Sequence, residues 1–391
     1  MGTGAIHTPQ QGRDPALLAP RMPALRLDPL LVLAAIGLGI WSLVTLNEIS
    51  HAEMVRQGVY LGIGLVLMLA LARVDYSRLR ELKWGLYVIL ILSILLVMGI
   101  GHSIAGVSTR SISVSVFSFQ SSEFGKVLLI VFLAAFVVDS SRKTGGRELV
   151  ARVMLLALAP TMLVIAEPDL GSGLVYVAIA VAVLYIAGAA WQHLTALATI
   201  GVMAVLVVVV ILPAIGIHTF HYQVARIEAF LHPSPDYHSK GYQQYQSTVA
   251  IGAGGKFGRG AATSQTRFGL VGESYADFIF AAVGERFGFA GAATVLSLYA
   301  LMIWRSLRII AAAKNLFGAL VAAGIVAMLM FQVFVNVGVA VGILPITGVT
   351  LPLVSYGGSS VLTTFLALGL LQSIHVQARV AAGTKGRVLS F

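Results

Sequence analysis

Long apolar runs constrain this chain more than any other feature of its sequence. Runs long enough to cross about 30 Å of hydrocarbon lie at roughly 29–47, 56–73, 84–101, 124–139, 150–166, 170–190, 193–216, 277–304, 316–343 and 354–378. Only 11% of the residues are charged, against about 25% in a soluble domain. The sequence therefore predicts an all-α polytopic membrane protein with ten transmembrane helices, or nine if the fifth and sixth runs form one helix.

Lysine and arginine are distributed unevenly among the connections between these runs. The connections at 73–83 and 139–152 carry four each, whereas 305–314 and the residues after 378 carry three each. The positive-inside rule then places both termini in the cytoplasm and a large extracytoplasmic loop, about 217–276, between helices 7 and 8. The net charge of +10 fits this bias, and no dense soluble patch indicates a nucleic-acid partner.

The two ends of the chain lie outside the apolar runs. Residues 1–27 are polar and proline-rich and lack the apolar core of a signal peptide, which predicts a disordered tail or a cloning remnant. We expect the membrane domain to cover 28–380 and a cytoplasmic tail to cover 381–391. The chain contains no cysteine, which excludes disulfides, thiolate metal sites and cysteine nucleophiles.

Asp277 and Glu285 stand at the start of the eighth apolar run. Charge in hydrocarbon costs about 3 kcal/mol on insertion scales, so such residues usually face a cavity or a partner. Asp277 is either a cap or first-turn acid favoured by the helix dipole or a carboxylate at a cavity mouth that serves as a general base. Glu285 lies about 12 Å further along the helix. It either lines the same groove as Asp277 or, together with Arg286, forms a structural ion pair with neighbouring helices.

The segment 106–126 (GVSTRSISVSVFSFQSSEFGK) leads into the fourth run with an unusual number of polar residues. Alternation of polar and apolar residues over 111–119 predicts an extended segment lying on the membrane. The fourth helix then starts with Glu123 in its first turn. Lys126 could snorkel to the interface, pair with Glu123 or bind an anion, and Arg110 is a second candidate cation.

Two further segments interrupt apolar sequence with proline and glycine. In 167–172 (EPDLGS), proline breaks the helix, and Asp169 is either the N-cap of the sixth helix or a site residue. In 344–360 (LPITGVTLPLVSYGGSS), small residues allow close helix packing, while Ser355 and Ser359 could also donate hydrogen bonds to a ligand.

The outer loop contains a glycine-rich stretch, GAGGKFGRG, at 252–260. No strand precedes it, so it is a weak signal for phosphate binding, with Lys256 and Arg259 as the cations. A loop of this length is usually functional or disordered, and its tyrosine, phenylalanine and isoleucine content favours a functional loop.

Taken together, these segments resemble the SEDS family (shape, elongation, division and sporulation), whose members include RodA and FtsW, and the likeness is greatest to RodA. The matching stretches occur in family order at 121–126, 167–172, 245–260, 276–291 and 336–360. The resemblance implies ten helices in the bacterial cytoplasmic (inner) membrane and both termini in the cytoplasm. It also implies peptidoglycan glycosyltransferase activity on lipid II, a disaccharide-peptide carried on undecaprenyl pyrophosphate.

The resemblance also implies roles for individual residues and a partner. The essential acid of the family maps onto Asp277. The charged residues of SSEFGK and EPDLGS map onto Glu123, Lys126 and Asp169. The partner implied by the resemblance is a class B penicillin-binding protein, a single-span transpeptidase. The chain departs from the family at 275–276, where Tyr-Ala replaces the usual His-Thr, and at Ser121, where many members have proline.

Sugar transfer from a pyrophosphate carrier requires a base for the acceptor hydroxyl and cations for the departing diphosphate, whereas a glycosidase normally uses two carboxylates. We therefore expect Asp277 to be the base. The candidate pyrophosphate ligands are Arg110, Lys126, Lys256 and Arg259. A divalent cation such as Mg²⁺ or Mn²⁺ could share that work, although no ligand set in the sequence requires a cofactor.

Two other functions fit the same features. Intramembrane charges and broken helices also suit a flippase that moves lipid-linked precursors. A scaffold that positions a transpeptidase and does no chemistry is the second alternative. All three functions require contact with membrane lipids.

Overall fold

The chain is helical over most of its described length. The computed structural model describes residues 27–105, 112–114, 117–141, 143–167, 169–206, 221–231, 241–260 and 276–388. The helices are α1 (Pro29–Ile49), α2 (His51–Leu71), α3 (Lys83–Ala105), α4 (Ser121–Ser140), α5 (Gly146–Ala166), α6 (Leu170–Ile186), α7 (Trp191–Leu206), α8 (His221–Leu231), α9 (Tyr242–Gly254), α10 (Ile279–Ala312), α11 (Leu316–Ala340) and α12 (Gly358–Val388). A 3₁₀ helix (Tyr76–Arg80) and the strands β1 (Ile112–Val114) and β2 (Phe117–Phe119) complete the set.

Eight of the described helices are long and apolar enough to cross a membrane, namely α1 to α5 and α10 to α12. The apolar helix α6 has 17 residues and α7 is described over 16. Each apolar run predicted from the sequence overlaps one of these ten helices, α1 to α7 and α10 to α12. Helices α5 and α6 are separate. The all-α, multi-pass membrane class is thus confirmed, while the count of ten spans and the placement of the outer loop stay predictions.

Two predicted boundaries differ from the structure. Helix α10 continues to Ala312, so most of the predicted 305–314 loop is helical and three residues, 313–315, make the connection. Helix α12 continues to Val388, through most of the predicted tail at 381–391. In both places the helix extends beyond its apolar run because lysine, arginine and alanine are good helix formers. The predicted tail at 1–27 falls almost entirely outside the described residues.

Helix α12 occupies the centre of the bundle. Of the residues in its membrane-spanning part, 94% are buried, whereas in α3 the share is 17%. Its tightest neighbour is α2, where a Cβ atom added to Gly64 would lie 2.2 Å from the ring of Phe365. Further along, a Cβ atom on Gly369 would lie 3.1 Å from the Met68 backbone. Such small-residue contacts let helix backbones approach closely in a membrane.

Asp28 joins three helices at the start of α1. Its carboxylate accepts from the Leu31 amide at 3.1 Å and from Arg305 Nε of α10 at 3.0 Å. Gln372 of α12 accepts from the Asp28 amide and donates to its carbonyl. Burial alone would raise the pKa of the Asp28 carboxyl, but the hydrogen bonds from Arg305 and Leu31 outweigh it and hold the pKa below its ordinary value. Asp28 is therefore ionised at neutral pH.

Candidate functional site

A short β-hairpin leads into α4, in agreement with the predicted extended piece. Strands β1 and β2 are antiparallel, with Ser113 opposite Ser118. The Ser359 hydroxyl at the start of α12 donates to the Ser118 carbonyl at 2.5 Å and accepts from the Gln120 amide at 3.0 Å. The hairpin is therefore attached to the central helix.

The first two turns of α4 carry a buried ion pair. Lys126 Nζ lies 2.5 Å from Glu123 Oε1. The two residues are 1% and 4% exposed, and their i,i+3 spacing places them on one helix face. The predicted pairing is confirmed. Since a lysine ammonium has three donors, this pair leaves further donors for another anionic group.

Asp169 connects α6 to α4. One carboxylate oxygen caps α6 by accepting from the Ser172 amide at 3.1 Å, which confirms the N-cap prediction. The other oxygen accepts from Ser122 Oγ at 2.9 Å and from Gln120 Nε2 at 3.2 Å. Asp169 therefore fixes the start of one helix against the start of another. We call Gln120, Ser122, Glu123, Lys126 and Asp169 the α4–α6 polar cluster.

The glycine of SSEFGK makes room for a tyrosine. A Cβ atom at Gly125 would lie 2.0 Å from the hydroxyl of Tyr176. That hydroxyl donates to the Ser122 carbonyl at 3.1 Å. Gly125 thus allows α6 to approach the cluster closely enough to hydrogen-bond its backbone.

Asp277 lies in a turn, two residues before α10 begins at Ile279. Phe278 is the N-cap residue, and the first turn of the helix contains no acidic residue. The alternative of a cap or first-turn acid is therefore wrong. Asp277 is partly exposed, whereas Phe278 and Ile279 are buried.

The backbone beside the Asp277 side chain is held by two residues from distant parts of the chain. Asn336 Nδ2 of α11 donates to the Asp277 carbonyl at 2.9 Å and to the Val349 carbonyl at 2.8 Å. The Ser355 hydroxyl donates to the Ala276 carbonyl at 2.6 Å. The peptide units on both sides of the Asp277 Cα atom are thus fixed, one to α11 and the other to the connection between α11 and α12.

Gln57 of α2 holds Ser355 in turn. Its amide nitrogen donates to the Ser355 carbonyl and to Ser42 Oγ, both at 3.0 Å, and its oxygen accepts from the Gly357 amide. Gln57, Gln120 and Asn336 were not among the residues predicted from the sequence, because they carry no charge. An amide within or beside an apolar helix is also costly unless it finds partners, and that signal could have identified all three.

The connection at 341–357 contacts both parts of the site. A Cβ atom at Gly171, two residues after Asp169, would lie 2.6 Å from the Thr347 carbonyl. On the other side the same connection supplies Ser355 to the Asp277 turn. The α4–α6 polar cluster and Asp277 therefore lie at the same end of the helix bundle, on either side of one connection.

Tyr356, next to Ser355, does not compete as a proton acceptor. Burial, together with the hydrogen bond to Glu53, raises the pKa of its phenol to about 12. At neutral pH this hydroxyl is therefore protonated.

Three further candidates lie at the far end of the helical segment that follows Asp277, namely Lys256, Arg259 and Glu285. Lys256 and Arg259 are exposed in the segment after α9. Glu285 is fully buried in α10, and Arg286 pairs with Glu48 at the end of α1. The structural ion pair predicted for Arg286 is confirmed. Arg110 lies outside the described residues.

An apolar cavity of about 630 Å³ opens between α9, α10 and α11. Every residue on its wall is apolar or glycine, including Ile251, Phe280, Phe289, Leu296 and Val337. Phe280 follows Asp277 by three positions. The cavity therefore offers space for hydrocarbon beside the helix that follows the candidate base. Within the described ranges, histidines and carboxylates form no group of three or more that could hold a metal ion.

A bundle of apolar helices that gathers buried carboxylates, a lysine and a partly exposed aspartate at one end defines a multi-pass membrane protein with an embedded polar site. The chain belongs to the family of FtsW, RodA and SpoVE cell cycle proteins, whose family model matches residues 24–380. The SEDS resemblance is thereby confirmed.

Three comparisons place the chain within this family. It is 35% identical over 364 residues to the peptidoglycan glycosyltransferase MrdB of Escherichia coli K12, covering 90% of this chain and 95% of MrdB. The crystal structure of RodA from Thermus thermophilus covers 90% of this chain and 98% of its own, with 29% identity and a TM-score of 0.67. The third comparison is with a chain from a peptidoglycan synthase complex that coordinates polymerization and crosslinking. The match covers 91% of this chain and 99% of that chain, with 30% identity and a TM-score of 0.75.

Proposed function

We propose that this protein is a peptidoglycan glycosyltransferase of the bacterial inner membrane, with both termini in the cytoplasm. It polymerises lipid II into β-1,4-linked glycan strands for cell shape or division and releases undecaprenyl pyrophosphate. The observation that carries the proposal is the partly exposed Asp277 on a backbone fixed by Asn336 and Ser355. The name of MrdB, a peptidoglycan glycosyltransferase, supports the same reaction.

Asp277 acts as the general base. It takes the proton from the 4-hydroxyl of the acceptor sugar as that oxygen attacks the anomeric carbon of the donor. The new C–O bond forms as the bond to pyrophosphate breaks, and the anomeric configuration inverts. Because pyrophosphate leaves as an anion, the reaction requires no general acid. Fixing the Asp277 backbone reduces the entropy lost in reaching the reactive geometry.

Cationic side chains bind the pyrophosphate. Lys126 offers its remaining ammonium donors, while Lys256, Arg259 and Arg110 supply further charge from the outer side. Glu123 and Asp169 orient this region, and the fully buried Glu285 acts from within the protein rather than by contact with substrate. Ser355 and Ser359 act through the backbone groups that they hold. A divalent cation, Mg²⁺ or Mn²⁺, would be carried by the pyrophosphate oxygens, which a titration with EDTA and each metal would test.

The lipid part of the substrate stays in the membrane. The apolar cavity beside Phe280 has a wall suited to an isoprenoid chain. We propose a class B penicillin-binding protein as the partner that crosslinks the glycan, since a related chain belongs to a complex of polymerization and crosslinking.

The direct test is incubation of the purified protein with labelled lipid II, followed by gel analysis of the products, with and without the cognate transpeptidase. A ladder of glycan strands from the protein alone supports the proposal. Movement of lipid II across vesicles without any polymer would support the flippase instead. Absence of both polymer and transport, with or without the transpeptidase, would favour the scaffold.

The amide of Asn336 provides a prediction about positioning. Asn336→Ala removes the hydrogen bonds to the Asp277 and Val349 carbonyls. We expect the polymerisation rate to fall about tenfold to a hundredfold, because a misplacement of about 1 Å has effects of that size. The matched control is Gln332→Ala, which removes a buried amide one turn earlier on the same helix. Equal rates for the two variants would contradict the assignment.

A further inference from the structure

Helix α10 is broken at Gly288, at the far end of the helical segment that follows the candidate base. Gly288 has φ 63° and ψ −159°, a conformation that is essentially restricted to glycine. The break separates residues 279–287, which we call the short half-helix, from residues 289–312. The short half-helix begins two residues after Asp277 and is buried from Ile279 to Arg286. Close packing against its neighbours makes it a stiff segment, with Phe280 and Gly284 also lining the apolar cavity.

A broken helix leaves backbone groups without partners on both sides of the break. Here the outer segment 255–260 supplies the partners, and we call it the glycine clamp. On one side, the Arg259 amide donates to the Glu285 carbonyl at 3.0 Å and the Gly260 amide to the Arg286 carbonyl at 3.3 Å. On the other side, the Phe289 and Ala290 amides donate to the Gly255 and Lys256 carbonyls at 2.9 and 3.1 Å.

This contact requires glycine on both backbones. Gly258 has φ 86°, and a Cβ atom there would lie 1.9 Å from the Arg286 carbonyl oxygen. A Cβ atom at Gly288 would lie 2.4 Å from the Gly258 nitrogen. A side chain at Gly258 would thus overlap the helix backbone at Arg286, and a side chain at Gly288 would overlap the clamp backbone at Gly258. Backbone atoms cannot move aside as a flexible side chain can, so any larger residue must separate the clamp from the helix.

We propose that the glycine clamp positions Asp277, with Gly258 and Gly288 as positioning residues for the glycosyl transfer. This inference depends on the proposed function, in which Asp277 is the base. Asn336 and Ser355 hold the start of the segment, and the clamp holds its end. Since the short half-helix between them is rigid, displacement of the clamp shifts the Asp277 carboxylate relative to the acceptor hydroxyl.

Comparison of Gly258→Ala with Gly85→Ala tests this inference. Gly85 lies on α3, outside the proposed site, and a Cβ atom there would meet nothing within 4 Å, so its variant should polymerise like the original protein. For Gly258→Ala we expect the maximal rate to fall about tenfold to a hundredfold, with little change in the KM for lipid II. The acidic limb of its pH–rate profile should also shift along the pH axis. A simple loss of folded protein would instead lower the rate by the same factor at every pH. Equal rates and superimposable profiles for the two variants would overturn the inference.

Hydrogen exchange on the unsubstituted protein covers the case in which Gly258→Ala fails to fold. The amides of Arg259, Gly260, Phe289 and Ala290 should be protected together. Rapid exchange of 259–260 while 289–290 stay protected would overturn the inference. Failure of this inference is distinguished from failure of the proposed function by the variant Asp277→Asn. If that variant polymerised lipid II, Asp277 would not be the base, whereas the results above test only the role of the clamp.

Discussion

Replacement of Asp277 by asparagine should lower the rate of glycan formation from lipid II by about two to four orders of magnitude, the usual contribution of a general base. Asparagine keeps the size of the side chain but cannot accept a proton at neutral pH. The hydrogen bonds from Asn336 and Ser355 go to backbone carbonyls, so the turn should remain in place. The measurement is the initial rate of polymer formation from labelled lipid II, normalised to folded protein.

Glu148→Gln is the matched control for this acid-to-amide change. Glu148 is an exposed residue of α5 that pairs with Arg152 one turn away. Its variant should retain the original rate within about a factor of two, since an exposed helix pair contributes less than about 1 kcal/mol. An Asp277→Asn variant that polymerised as fast as Glu148→Gln would contradict the assignment of the base.

Lys126→Met should reduce the free energy of unfolding by about 3–5 kcal/mol, because it leaves the buried Glu123 carboxylate without its cation. Thermal or denaturant unfolding in detergent measures this loss. Arg152→Met, which breaks the exposed pair with Glu148, should cost less than about 1 kcal/mol and serves as the control. An equally small effect at Lys126 would show that water reaches the pair.

The double variant Glu123→Leu/Lys126→Met separates stability from function at the same pair. Replacing both members by apolar residues of similar volume should recover most of the stability. The rate should stay low, because the ammonium group proposed to bind pyrophosphate is gone. Recovery of the rate along with the stability would mean that the pair is purely structural and that Lys126 binds no substrate.

The features that were predictable from the sequence are those fixed by local spacing. Apolar runs gave the spanning helices because each membrane helix satisfies its own backbone hydrogen bonds. The Glu123–Lys126 pair follows from an i,i+3 spacing, and the Asp169 cap from an acidic residue immediately before a helix. Each of these depends on a few neighbouring residues, so no knowledge of the rest of the fold was needed.

The features that were not predictable depend on contacts between distant segments. The break at Gly288 is invisible in an apolar run that reads as one continuous helix, because its partners lie in 255–260. Asn336 reaches the Asp277 carbonyl across 59 positions, and Gln57 reaches Ser355 across 298. No local pattern marks such pairs. The roles of the site residues in catalysis stay proposals for the same reason, since they depend on a substrate that the sequence does not encode.

The central position of α12 has a consequence for biosynthesis. The ribosome makes this helix after every other helix described here, yet it fills the middle of the bundle. Until it enters the bilayer, the faces of α2 and α4 that pack against it are without their final neighbour. Assembly of the bundle is thus completed from the inside, and a translation product that stops before Gly358 contains the outer helices without the one around which they are arranged.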